Sequence, residues 1–97
     1  MTLLFANLAL RDLDNLFTTI AEDSPARAAR FILRIRARCE HLETFPMSGR
    51  ARPEFGPGIR SIPVHPVIAF YRVDGEFVIV VRVIDGRRDL GTAFFAD

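Results

Sequence analysis

The sequence contains no lysine, a single cysteine and only two histidines. All thirteen basic residues are therefore arginines, and they stand against twelve acidic residues for a formal net charge of +1. The absence of lysine excludes any reaction that uses a lysine amine as nucleophile or base. The small net charge gives no indication of a protein that binds nucleic acid through its overall charge.

Long apolar runs are also missing. The longest ones, residues 67–71 and 77–81, have five residues each, whereas a helix that crosses a bilayer needs about twenty. The apolar amino terminus has no basic residue ahead of it, so it lacks the pattern of a secretory signal. Cys39 has no partner for an internal disulfide, which fits a reducing compartment. These features predict a cytoplasmic protein without membrane contact.

What the chain does have is enough apolar material for one small domain. Its 97 residues are 49% hydrophobic and 26% charged, which permits a core without disulfides or a metal. We therefore expect a single domain over residues 1–97. The charge is segregated: residues 1–26 have a balance of −3, residues 27–60 hold eight arginines against three acids for +5, and residues 61–97 have −1.

Two stretches have the spacing of amphipathic helices. After a short strand at residues 3–6, Asn7 is the expected N-cap of the first helix. Ser24 followed by Pro25 is typical of a second helix start, since proline at the first helical position loses no hydrogen bond. The short break between the helices predicts an antiparallel hairpin. The residues expected to face the core are Leu10, Leu13, Leu16, Phe17 and Ile20 in the first helix and Ala28, Phe31, Ile32, Ile35, Cys39 and Leu42 in the second.

The second half of the chain has the composition of a β-sheet. Residues 46–58 contain three prolines and three glycines, which predicts a loop. The strands expected after it are residues 59–64, 67–73 and 77–84. The last two are joined by Asp74-Gly75, a pair typical of a two-residue hairpin turn. Pro63 has no N–H to donate, so its strand is expected to be exposed on one side.

The predicted order is β-α-α-β-β-β. This order indicates an α+β fold in which a small, mainly antiparallel sheet carries the helical hairpin on one face. Asp89 is a candidate cap for a further short helix through Phe94 and Phe95. Because cores of this kind serve several functions, the fold class alone does not identify the functional site.

Histidine and cysteine do not form a recognisable site. His41 falls on a helix and His65 in a turn, and neither has the context of a catalytic triad. Cys39 falls within the apolar stripe of the second helix, where a buried and inert thiol is expected. The glycines of residues 56–58 are not followed by the helix start and lysine of a phosphate-binding loop. We therefore predict no metal and no cofactor.

The arginines are the most informative residues. Arg27, Arg30, Arg34 and Arg38 fall within about 80° of one another on the second helix. They either line a groove for an acidic peptide or a phosphate backbone, or cover the edge of the core with their aliphatic stems on a solvated flank.

Two further arginines interrupt strand patterns, namely Arg60 and Arg82. By strict alternation Arg82 shares a face with Val78, Val80 and Ile84. An arginine there either reaches the rim of the sheet or pairs with a carboxylate, for which Asp89 is a candidate. Structural pairing and a surface function both remain open for these two residues.

Several motifs, taken in order and spacing, resemble those of a known family. They are Ser24-Pro25-Ala26-x-Ala28-Ala29, Leu42-x-x-Phe45-Pro46-x-x-Gly49-Arg50, Arg52-Pro53-Glu54, Gly58-Ile59-Arg60, Phe70-Tyr71-Arg72-Val73 and Arg82-Val83-Ile84-Asp85-Gly86-Arg87-Arg88-Asp89-Leu90. With the opening strand and helix, this run resembles the RelE/ParE superfamily of bacterial toxin–antitoxin toxins, and most closely its ParE branch. One departure is Asp85, which stands where the family usually has histidine.

The resemblance implies a toxin of a type II toxin–antitoxin system that inhibits DNA gyrase by binding and is not an enzyme. It also implies a ParD-like antitoxin whose carboxyl-terminal segment wraps the toxin, with no direct specific binding of nucleic acid. The residues expected to bind the target are Arg50, Arg52, Arg60, Arg82, Arg87, Arg88, Phe94 and Phe95. An acidic antitoxin segment suits the +5 region. The residues expected to bind it are Leu16, Phe17, Ile20, Arg27, Arg30, Arg34 and Arg38.

The same superfamily offers an alternative, a RelE-type ribosome-dependent mRNA endonuclease. Such cleavage needs a base for the ribose 2′-OH and cations for the charge that develops on phosphate. With no lysine, and with Tyr71 expected inside a strand, Glu54 is the remaining candidate base, and Arg60 and Arg82 are the candidate cations. Arginine itself is a poor base because it stays protonated. The composition therefore favours the binding toxin.

Overall fold

A computed structural model describes residues 1–87 of the chain. Its elements are strand β1 (Thr2–Phe5), helices α1 (Asn7–Ala21) and α2 (Pro25–Glu40), and strands β2 (Arg50–Ala51), β3 (Arg60–Val64), β4 (Val67–Asp74) and β5 (Phe77–Asp85). Single 3₁₀ turns follow α2 and β2. No helix in this part of the chain is long and apolar enough to cross a membrane.

The strands form one mixed sheet in the order β1-β5-β4-β3-β2. β1 runs parallel to β5, and the other neighbours are antiparallel. The α+β class, the helical hairpin and the mainly antiparallel sheet are therefore confirmed. β2 is an additional short strand inside the predicted loop. The short helix expected through Phe94 and Phe95 lies outside the described residues.

The two helices begin differently. At α2 the Ser24 hydroxyl accepts a hydrogen bond from the Arg27 N–H at 3.2 Å, as the serine–proline pattern predicts. At α1 the N-cap is Ala6, and Asn7 is already helical, so the prediction for Asn7 is wrong. The reason is that β1 leads straight into α1, and the Ala6 N–H still donates to Val80 of the sheet at 2.9 Å.

The main core lies between the hairpin and one face of the sheet. From α2 it takes Ile35 and Cys39. These two residues and Ala28 of the same helix are fully buried, as their spacing predicts. Burial raises the pKa of the Cys39 thiol to about 11, although nearby arginines act in the opposite direction. The thiol is therefore protonated at neutral pH and is a poor nucleophile.

The apolar stripe of α1 is less buried than its spacing predicts. The one fully buried residue of this helix is Ala9, whereas Leu10 and Phe17 are 46% and 41% exposed. Leu13 and Leu16 are half-buried and pack against the main core. The buried face of α1 is therefore centred near Ala9, and Leu10 and Phe17 lie about 80–100° away from it around the helix.

The β4–β5 hairpin contains a β-bulge that sequence alternation does not reveal. Phe70 pairs with Arg82, but the next residue of β4, Tyr71, pairs with Val80, so one residue of β5 is left over. Val80 therefore lies in the main core, while Ile84 belongs to a smaller cluster with Phe70 on the opposite face. The prediction that Arg82 shares one face with both is wrong.

The turn of this hairpin also lies one residue later than predicted. Asp74 still pairs with Phe77, so the two-residue loop is Gly75-Glu76 and not Asp74-Gly75. Gly75 has φ +59°, a value that glycine adopts without steric cost.

Both edges of the sheet are protected. At β1 the Leu3 N–H donates to the Glu43 carboxylate at 3.2 Å, and the terminal ammonium donates to the Glu43 carbonyl. At the other edge β2 pairs only with residues 60 and 61 of β3. Further along β3, Pro63 is exposed and has no N–H that a neighbouring strand would have to satisfy. This agrees with the prediction that the strand of Pro63 is exposed on one side.

Tyr71 connects this sheet to the loop that leaves α2. Its side chain is fully buried, and its hydroxyl donates to the Pro46 carbonyl at 2.7 Å and accepts from the Gly49 N–H at 2.9 Å. A Cβ atom on residue 49 would lie 2.5 Å from this hydroxyl and 2.9 Å from the Ser61 carbonyl. Glycine is therefore required here for space.

We expect Gly49→Ala to lower the free energy of unfolding by about 2–3 kcal/mol, as for an overpacked site. Urea denaturation measures the loss. The matched control is Gly75→Ala, where the added methyl meets nothing within 4 Å and only the left-handed backbone is strained. That strain costs about 1 kcal/mol. Equal losses at the two positions would contradict the steric role of Gly49.

Candidate functional site

An open groove of about 600 Å³ runs between the helical hairpin and the β3–β4 turn. We call it the arginine groove. It is lined by Ile20, Arg27, Arg30, Phe31, Arg34 and Pro66. These described lining residues include three guanidinium groups, three apolar side chains and no acid, so the groove offers cations beside an apolar floor.

Arg34 fixes one wall of the arginine groove. Its guanidinium donates to the carbonyl of His65 in the β3–β4 turn and lies 5.1 Å from the centre of the Phe31 ring. The first contact joins the flank of α2 to the turn that carries Pro66, and the second lies within α2. The groove is therefore formed by the end of α1, the first part of α2 and a turn that is distant from both in sequence.

Of the seven residues predicted to bind an antitoxin, the arginine groove gathers four, namely Ile20, Arg27, Arg30 and Arg34. Leu16 lines an adjoining cleft of about 200 Å³ beside Asp12, which shares Ile20 with the groove. Arg38 lines a third cleft, of about 390 Å³, next to β3. Phe17 is exposed but does not line any of these three clefts among the described residues.

Two residues of the arginine groove were missed in the sequence. The spacing places Phe31 at the margin of the apolar stripe of α2, and it packs against the main core as predicted while also lining the groove. Pro66 is more than thirty residues from the helix arginines and reaches them only through the path of the sheet. The proline of a predicted turn was the only local signal for this second position.

Arg52, predicted to bind the target, is engaged inside the fold. It donates to the Glu54 carboxylate at 3.0 Å and to the Ser61 hydroxyl at 3.2 Å. Its guanidinium also lies 4.9 Å and 5.5 Å from the ring centres of Phe55 and Phe70. With 17% of its side chain exposed, Arg52 covers the smaller apolar cluster on the helix-free face of the sheet.

Arg60 is also held by the protein itself. Its guanidinium donates to the Gly49 carbonyl at 2.7 Å and to the Met47 carbonyl at 3.3 Å. The neighbouring Arg50, in the edge strand β2, is exposed. Arg60 therefore holds the backbone of the loop that leads directly into β2 at Arg50.

Arg82 pairs with a carboxylate, as one of the two alternatives for it requires. Two of its nitrogens lie 2.7 Å and 2.8 Å from the oxygens of Asp12 in α1, and the same carboxylate accepts from the Val83 N–H at 2.9 Å. Each of the two paired side chains is 14% exposed. The hydrogen bond to Asp12 raises the pKa of Arg82, so its charge is constant. The other candidate partner, Asp89, lies outside the described residues.

Asp85, the departure from the family pattern, contacts another predicted target residue. Its carboxylate accepts from the Arg87 backbone N–H at 2.9 Å and from the Arg87 guanidinium at 2.8 Å. It thereby orients the chain at the end of β5. The remaining predicted target residues, Arg88, Phe94 and Phe95, lie outside the part of the chain that the structure describes.

The nuclease alternative relies on Glu54, Arg60 and Arg82. Glu54 is 53% exposed, and its pKa is lowered by a hydrogen bond from its own backbone N–H and then by Arg52. A lowered pKa makes a carboxylate a weaker base. The two arginines bind loop carbonyls and Asp12 respectively, so all three groups are engaged with different partners.

Within residues 1–87 no group of three or more histidine, cysteine, aspartate or glutamate side chains is arranged to hold a metal ion.

Comparisons with known proteins agree on one family. The family model described as "ParE toxin of type II toxin-antitoxin system, parDE" matches residues 3–90. Toxin ParE3 of Caulobacter vibrioides is 38% identical over 80 residues, which cover 81% of this chain and 80% of that protein.

Two solved structures have the same fold. The chromosomal ParDE toxin–antitoxin system of P. aeruginosa matches with a TM-score of 0.76 at 25% identity, over 88% of this chain and 95% of the other. The RelBE2 toxin–antitoxin complex of Mycobacterium tuberculosis matches with a TM-score of 0.63 at 25% identity, over 87% and 95% respectively.

We expect Asp12→Asn to destabilise the fold by about 2–3 kcal/mol, because it removes the negative charge that pairs with the largely buried Arg82. Chemical denaturation measures the change. Asp14→Asn is the matched control, since Asp14 is exposed on the same helix and a surface change of this kind costs at most about 0.5 kcal/mol. If both variants lose the same stability, the ion pair does not anchor α1 to β5.

Proposed function

Because the chain belongs to the ParE toxin family of type II toxin–antitoxin systems, we propose that it arrests growth by binding DNA gyrase. We also propose that a ParD-like antitoxin neutralises it by placing an acidic amphipathic segment in the arginine groove. Both partners belong to the cytoplasm, and the proposal places this protein there.

The arginine groove carries the antitoxin part of the proposal. Arg27, Arg30 and Arg34 stand along one flank of α2, and the half-buried Ile20 and Phe31 add apolar side chains to the same groove. An amphipathic segment matches both features, since its carboxylates meet the guanidinium groups while its apolar side chains leave water. The solved relatives named above are described as toxin–antitoxin assemblies, which supports a protein partner of this kind.

The contacts of the arginines outside the groove favour a binding function over a catalytic one. A ribonuclease needs a base near the 2′-OH and cations that are available to phosphate. Here Glu54 has a lowered pKa and pairs with Arg52, and Arg82 pairs with Asp12. The chain has no lysine to replace them. An activity that depends on a contact surface fits these residues better than an activity that depends on proton transfer.

We expect the purified toxin to inhibit the supercoiling of relaxed plasmid DNA by gyrase, and an equimolar amount of its antitoxin to restore it. Agarose gels of the topoisomers measure both effects. The parallel control is a translating extract in which codon-positioned mRNA cleavage is mapped. Unaffected supercoiling at high toxin excess, together with cleavage that Glu54→Gln abolishes, would replace gyrase inhibition with the ribonuclease alternative.

We expect Arg27→Glu/Arg30→Glu to weaken antitoxin binding by about 10–100-fold and to flatten its dependence on salt, because two cation–carboxylate contacts are lost. Arg34 is left unchanged because its guanidinium also holds the β3–β4 turn. Calorimetric titration at several salt concentrations measures the effect.

The matched control for this charge reversal is Arg36→Glu. Arg36 lies on the same helix, is exposed, and is absent from the residues that line the arginine groove. Affinities and salt slopes that change equally in both variants would place the antitoxin elsewhere.

A further inference from the structure

The loop that leaves α2 displays two large apolar side chains next to each other. Phe45 is 53% exposed and Met47 is 61% exposed. With Thr44, Pro46 and Ser48 they line a shallow depression of about 380 Å³. Single apolar side chains are common on protein surfaces, whereas a clustered pair is a feature of interaction sites. We call residues 45–47 the apolar loop.

The backbone of the apolar loop is held from beneath. The Pro46 carbonyl accepts from the Tyr71 hydroxyl at 2.7 Å, and the Met47 carbonyl accepts from Arg60 at 3.3 Å. The Phe45 carbonyl accepts from the Ser48 hydroxyl at 2.8 Å. Each of these bonds uses a backbone carbonyl, so the side chains of Phe45 and Met47 are left to face outward.

The ring of Phe45 is oriented as well. Its centre lies 4.8 Å from that of the His41 ring, at an interplanar angle of 37°. A partner that binds here meets side chains whose backbone and direction are already set, so little conformational entropy is lost on binding. This preorganisation distinguishes the loop from an exposed apolar residue on a mobile segment.

A cationic cleft of about 390 Å³ adjoins the apolar loop at Ser48, which lines both depressions. Arg38, His41 and Arg50 also line this cleft, and its described lining residues include no carboxylate. Phenylalanine, methionine and arginine are enriched in the cores of protein interfaces. The charge on this side of the loop fits a partner that is acidic around an apolar centre.

This surface is separate from the arginine groove. The residues that line the groove include none of those lining the apolar loop or the cationic cleft. Helical spacing places Arg38 on the same flank of α2 as Arg27, Arg30 and Arg34. In the structure it lines the cationic cleft together with Arg50. A second partner can contact this side of the molecule through its own set of residues.

We propose that Phe45 and Met47, flanked by Arg38 and Arg50, form the surface by which this toxin binds its protein target. The target offers an apolar socket rimmed by carboxylates. The inference rests on the proposed function in that it assumes a toxin with a protein target, but it does not require that target to be gyrase.

The test is the double variant Phe45→Ser/Met47→Ser. We expect the concentration that half-inhibits gyrase to rise at least tenfold and growth arrest on induction to be lost. We also expect the Kd for the antitoxin to stay within twofold and the melting temperature to be unchanged. The matched control is Leu33→Ser, which removes another exposed apolar side chain, 65% exposed on α2, and should keep full toxicity.

A second variant, Arg38→Glu/Arg50→Glu, leaves the apolar side chains in place. We expect it to weaken inhibition by about tenfold, with a smaller dependence on salt. This variant tests the surface even if the serine variant does not fold.

Three results would overturn the proposal. The first is inhibition and growth arrest that remain at the wild-type level in both variants. The second is a loss of antitoxin affinity as large as the loss of inhibition, which would assign the surface to the antitoxin. The third is a Leu33→Ser variant as defective as the double variant. If the wild-type protein does not inhibit gyrase, the gyrase proposal fails, and selective loss of growth arrest in the loop variants still supports this surface.

Discussion

One buried hydroxyl, that of Tyr71, joins the core of the sheet to the loop at the end of α2. It accepts from the Gly49 N–H and donates to the Pro46 carbonyl, and the ring beneath it is part of the main core. An unsatisfied amide at this depth would cost about 1–3 kcal/mol. Tyr71 therefore contributes to the packing of the main core, requires glycine at position 49 and sets the path of the loop after α2.

The sequence contains only arginine as a long basic residue, and the structure uses several of these arginines as internal supports. Arg60 holds the loop after α2, Arg52 covers the smaller apolar cluster, and Arg82 attaches α1 to β5. A planar group with five donors can serve two or three acceptors at once, which a lysine amine on a flexible stem does less well. An arginine in this protein therefore does not by itself mark a binding site.

Features that depend on local interactions were predicted from the sequence, and features that depend on contacts between distant residues were not. The start and buried face of α2 were predicted because capping and helical spacing are local. The bulge beside Tyr71 was not, since it depends on how two strands align. Nor was Asp12 found as the partner of Arg82, seventy residues away. The same limit applies to the sites: four groove residues lie together as their helices imply, but Pro66 joins them only through the tertiary fold.

The positions of the two surfaces constrain how an antitoxin neutralises the toxin. The arginines of the arginine groove come from the first ten residues of α2, whereas the apolar loop begins five residues after α2 ends. A helix of sixteen residues is about 24 Å long. An antitoxin segment confined to the groove would leave Phe45 and Met47 exposed. Because we expect the affinity for the antitoxin not to depend on Phe45 and Met47, neutralisation does not require direct cover of these side chains. The segment in the groove then acts by preventing the approach of the target as a whole.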